Sequence, residues 1–199
     1  MAFSNGDAKK EIAEITSGIG SDERPVSSLK EAFKLVAIYP VMMFLSVVLL
    51  WLVFYATMVF AGEGTVQNSK FYFEAALLIM GDGGWFSLGA TIIAAIFFML
   101  INYSTVLIYL SVPADIRSRS IIIGSIKAMV KKISLILWGG ATLLSLAGIF
   151  SGWIILLAGS IPFVLFMSIF IINGYIGMQG ARYGLGPLMS TANKMLGRQ

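Results

Sequence analysis

Between Ile133 and Ala181 the chain carries forty-nine consecutive residues with no Asp, Glu, Lys or Arg. One crossing of a bilayer needs about 20 apolar residues, so this run is too long for one membrane helix and suits two. Gly148-Ile149-Phe150-Ser151-Gly152-Trp153 supplies a tight turn between them, because its two glycines and its serine interrupt the apolar periodicity. The stretch therefore reads as a helical hairpin inside lipid.

Composition extends that reading to the whole chain. Of 199 residues, 58% are hydrophobic and 12% are charged, against about 25% charged in a soluble domain. That much apolar surface cannot be hidden from water in a chain of this length. A membrane β-barrel would alternate polar and apolar residues in strands of roughly 10 residues, whereas the apolar runs here are continuous. The expected fold class is an all-α integral membrane protein with four transmembrane helices, a polar N-terminal arm and interfacial amphipathic helices.

Residues 1–34 form the arm. Ile12, Ile15 and Ile19 share a face at helical spacing, so Asn5 to Ile19 is expected to be a short helix, with a turn over Asp22 to Pro25. The first apolar run begins too late for a signal peptide. Ser27 or Ser28 can cap the next helix, with Glu31 completing a capping box. A four-span membrane domain over 35–182 follows, with spans at about 36–61, 86–112, 134–150 and 153–178, and then a short basic tail, 183–199. Pro40 is placed near the start of the first span, where a missing donor costs least, and Pro162 is expected to kink the fourth. Loop 62–85 contains Phe71 to Met80, too short to span and suited to a re-entrant or interfacial segment. The connector 113–132 is basic, and Ile121 to Ile133 within it is amphipathic, as for a helix lying on an anionic membrane surface.

Charge sets the orientation. Of fourteen Lys and Arg, five lie in the arm, one in the first loop, five in the connector and three in the tail, counting Arg182 just before it. Cytoplasmic loops collect such residues, so both termini and the connector are expected inside (N-in/C-in) and loop 62–85 outside. The net charge of +4 follows from the same rule, and no nucleic-acid partner is expected.

The chain has no Cys and no His. Imidazole catalysis, disulfides and the usual zinc, haem and iron–sulfur ligands are excluded with them. The spans carry no ionisable acid or base, which argues against proton- or ion-coupled transport. No catalytic residue, metal or cofactor is expected, and the chain is read as a non-enzyme. Four residues stand out as candidates for partner binding. Asp82 and Trp85 sit in the Gly81-Asp82-Gly83-Gly84-Trp85 tip of the outward loop, where an aromatic can anchor a partner. Asn102 and Asn173 are amides within spans, able to hydrogen-bond a neighbouring helix or a ligand. Ser87, Thr91 and Ala95 form a ridge of small residues for close helix approach, and Asn173, Gly174, Gly177, Gly180 and Gly184 form a second small face. Asp115-Ile116-Arg117-Ser118-Arg119 reads as a topology determinant with a local ion pair.

A small, basic, cysteine-free, four-span layout with a long polar arm, and the Pro25-Val26-Ser27-Ser28-Leu29-Lys30 lead into the first span, resembles the inner-membrane entry-exclusion proteins of F-like conjugative plasmids. The resemblance implies a multi-pass protein of the bacterial inner (cytoplasmic) membrane that binds a donor-encoded conjugation protein and blocks redundant DNA transfer. It assigns no functional residue. The residues alone leave a different class open: a homo-oligomer forming a passive channel from Ser87, Thr91, Asn102 and Asn173, or an accessory subunit of a membrane transport or secretion complex.

Overall fold

The computed structural model describes residues 5–20, 28–61 and 83–183. Among them the chain is helical throughout: α1 (Asn5–Gly20), α2 (Leu29–Ala61), α3 (Trp85–Ser111), α4 (Ala114–Arg119), α5 (Ile121–Ser151) and α6 (Ile154–Arg182). Four of these, over Leu29–Thr57, Trp85–Ser111, Ile121–Ser151 and Ile154–Arg182, are long and apolar enough to cross a membrane. The shortest, 27 residues, measures roughly 40 Å at 1.5 Å per residue, more than a hydrocarbon core of about 30 Å. The Asp22 to Pro25 turn, the Phe71 to Met80 segment, Asp82 and the tail beyond residue 183 lie outside the described residues.

One boundary differs from the sequence expectation. The amphipathic stretch Ile121 to Ile133 is no separate helix: α5 runs unbroken from Ile121 to Ser151. Charged side chains spaced along one face do not stop a helix, and no proline or capping residue interrupts this one. The start of α2 at Leu29 follows directly on Ser28, one of the two expected caps, with Glu31 and Ala32 N–H groups bonded to the Ser28 carbonyl at 2.9 and 3.1 Å. Pro40 therefore lies inside α2 rather than at its first turn, and the helix continues through it. Pro162 is accommodated inside α6 in the same way. Apolar neighbours on both sides hold such a helix together despite one missing donor.

The α5–α6 turn is as tight as a helical hairpin allows. Gly152, at φ +73°, takes the left-handed conformation that ends α5, and α6 begins two residues later. Gly148 brings the two helices together: a Cβ there would stand 2.7 Å from the Leu157 backbone nitrogen.

The helices pack as two compact units, residues 1–36, 99–134 and 169–199 in the first and 37–98 with 135–168 in the second. In the second, Met43, Val47, Leu50 and Phe54 make the buried stripe of α2, while Leu45, Leu49 and Leu52 are exposed. Such a face is stable only against hydrocarbon or another apolar surface. Trp138 donates through Nε1 to the Ser46 hydroxyl at 2.8 Å, joining α5 to α2. On α3 the buried ridge is Ser87, Thr91, Ala94 and Phe98, and Ala95 is only half-buried. Steps of four overshoot a helical turn, so a straight stripe needs a step of three, and the small-residue ridge read from the sequence is off by one at its third position. In the first unit, Ile15 of α1 and Val112 form an apolar core with Ile12, Ile116 and Ile123 packed against it.

Candidate functional site

Polar side chains in an apolar helix must find partners, because lipid offers none. Asn102 is 5% exposed on α3 and Asn173 half-buried on α6. The structure brings them together: Asn173 Nδ2 donates to Asn102 Oδ1 at 3.3 Å and to the Ile169 carbonyl at 2.7 Å. Two of the four sequence-selected residues thus form one amide pair within the first unit. Trp85, the first residue of α3, is 62% exposed and belongs to the second unit. The second small face is split where it is described: Gly174 and Gly177 are exposed and a Cβ on either would meet nothing within 4 Å, whereas Asn173 is half-buried and Gly180 is buried.

Several hydroxyls find partners as well, although the buried Ser87 Oγ has none among the described residues. Ser145 and Ser160 share a 2.5 Å hydrogen bond between α5 and α6, and both are buried. Thr91 and Ser168 donate back to the carbonyls of Ser87 and Leu165 at 2.6 Å each. Among the described residues, the recorded partners of these groups are hydroxyls and backbone carbonyls, neither of which is the base that activates a nucleophile.

The densest polar constellation lies where α1 meets the connector, and sequence reasoning missed it. Pro113 starts α4, which ends at Ser120. The Ser120 hydroxyl accepts the Ile123 N–H at 3.0 Å, capping α5. It also donates to the Glu11 carboxylate at 2.5 Å, and the same carboxylate oxygen accepts the Ile122 N–H at 2.9 Å. A residue 111 positions away thus supplies a negative group to a helix N-terminus, where the macrodipole favours it. Gly18 faces Ile116 and Pro113 so closely that a Cβ would lie 2.6 Å from Ile116 Cδ1. The serine before an apolar run was a visible capping signal, while the Glu11 contribution had no local one.

Beside this junction Asp115 and Arg119 form the expected ion pair, at 3.0 Å and largely exposed. Arg117 behaves otherwise. Its guanidinium carbon sits 5.0 Å over the Tyr109 ring, and its Nε is buried with no hydrogen-bond partner among the described residues. No cluster of three His, Cys, Asp or Glu side chains able to hold a metal occurs among the described residues.

No protein-family model, curated protein or solved structure matches this chain.

Proposed function

We propose that the chain is a non-catalytic, multi-pass protein of the bacterial inner membrane, with both termini in the cytoplasm, that acts by recognising another membrane protein. The process is conjugative entry exclusion in the recipient cell, and the partner is a donor-encoded conjugation protein. The observation that carries the recognition reading is the Asn102–Asn173 pair. Asn173 donates to Asn102 and to a backbone carbonyl, which suits a scaffold and weighs against a pore lined by this pair. Recognition then falls to surfaces at and beyond the ends of the spans: the Asp82–Trp85 tip, whose Trp85 opens α3 and is exposed, and the arm. The layout resemblance supplies the process.

The test expresses the full chain in a recipient and measures conjugation frequency from donors carrying several plasmid types. A fall confined to one plasmid group is expected. The frequency holding steady for every donor would remove the exclusion reading, and Trp85→Ala restoring transfer at unchanged protein level would locate the recognition surface.

A further inference from the structure

We propose that Arg117, held by Tyr109, is a binding site for the phosphodiester headgroup of an anionic phospholipid. The argument starts from an imbalance. Asp115, the acid nearest Arg117 in sequence, is taken by Arg119 at 3.0 Å. Among the described residues Arg117 itself has no ion pair, its Nε is buried and unbonded, and its side chain is half-buried. A guanidinium cannot lose its proton to relieve that imbalance, so a partly desolvated one calls for an anion.

The setting selects the anion. Tyr109 belongs to the last turns of α3, an apolar helix that ends at Ser111, and Arg117 belongs to α4, which begins after Pro113. The cation therefore stands just beyond the end of a span, at the level where lipid phosphates lie. The guanidinium lies over the Tyr109 ring, 5.0 Å from its carbon to the ring centroid, and the edge of its planar fork is the side suited to a bidentate acceptor, the geometry that phosphate offers. The neighbouring α5 adds exposed Lys127 and Lys131, raising the local positive potential. A lipid here would fix the depth of the α3–α4 corner, and this inference does not depend on the exclusion reading.

Full-length protein, delipidated in a maltoside detergent, is titrated with phosphatidylglycerol, and bound lipids are counted by native mass spectrometry. The first lipid is expected to bind Arg117→Gln about tenfold or more weakly, the cost of one charge-assisted hydrogen-bonding group. Arg117→Lys, which keeps the charge and loses the fork, falls between. Arg119→Gln stays within about twofold of wild type, because its partner is Asp115. Equal first-lipid binding by wild type and Arg117→Gln would overturn the site, as would an equal loss in Arg119→Gln, which marks diffuse attraction. Displacement of the lipid by millimolar inorganic phosphate would assign the site to free phosphate and overturn the lipid reading. Should Arg117→Gln fail to fold, Arg117→Lys and Tyr109→Leu decide: each is expected to weaken the first lipid, and full retention in both refutes the proposal.

Discussion

Removing the Glu11 carboxylate leaves the Ile122 N–H without its acceptor at the start of α5, and it leaves the Ser120 hydroxyl without one of its partners. A helix cap is typically worth about 1 kcal/mol, and a hydrogen bond to a charged group about 1.5–3. Glu11→Ala is therefore expected to loosen α1 by about 1–2 kcal/mol, a factor of roughly 5–30 in its undocked population. Hydrogen exchange at Ile122 and protease nicking within residues 5–20 read that population, and Glu14→Ala, on the exposed face of α1, should change neither. The amide pair allows a smaller claim. At 3.3 Å the Asn102–Asn173 bond is long, and such bonds in membrane helices average about 0.6 kcal/mol. A double-mutant cycle of Asn102→Leu and Asn173→Leu should return a coupling near that value. Coupling indistinguishable from zero would mean that the two side chains do not meet. Both asparagines announced themselves in the sequence as amides inside apolar runs. Their pairing did not, because it needs α3 and α6 aligned in depth, which no local signal specifies. Glu11 gave no warning at all, since an acid in a polar arm looks solvated until its partner 109 positions away is known.

Secondary structure was the most legible level, because each long helix contains a long apolar run, although α2 and α5 also extend into charged stretches. The α5–α6 turn was also readable, since Gly152 at φ +73° takes a conformation that other residues adopt at a cost. Less readable was which glycines matter. Gly139, Gly140 and Gly148 lie along the same helix, yet only Gly148 is pressed against its neighbour, with Leu157 N at 2.7 Å and Trp153 O at 3.0 Å from a virtual Cβ. Those are backbone atoms and cannot step aside by changing rotamer. Gly148→Ala must therefore part α5 from α6, losing contact along the Ser145–Ser160 seam, and is expected to destabilise by about 1–3 kcal/mol. Gly140 faces open space. Gly140→Ala should be neutral or stabilising by up to about 1 kcal/mol, because alanine restricts the unfolded chain and favours helix. Thermal unfolding of the two variants in detergent micelles checks the contrast, and equal shifts would show that the hairpin contact carries no energy. Periodicity also misjudged the ridge on α3 at Ala95, because a rule of every fourth residue drifts around the helix whereas the buried stripe follows Ala94.

Four helices of spanning length bring both ends of the chain to one side of the bilayer, provided that each of them crosses. Which side is a question of charge. Thirteen of the fourteen Lys and Arg lie in the arm, connector and tail, and Lys70 alone lies in the first loop. Each cation carried outward works against the membrane potential, worth about 2.3 kcal/mol per charge at 100 mV, which is the argument for the proposed orientation with both termini inside. Alkaline phosphatase fused after Glu63 should be active, and a fluorescent protein fused after Arg119 should glow, each reporting its own compartment. Both fusions reporting one compartment would mean that α2 and α3 do not both cross. The bias is also spread out. Replacing Lys127, Lys131 and Lys132 by Gln leaves ten cations in the arm, the connector and the C-terminal end against Lys70, so the reporters should keep their compartments in that variant. If they exchange sides, orientation is decided locally by the start of α5 and not by the sum, and the arm that Glu11 ties to that helix becomes part of the device that sets it.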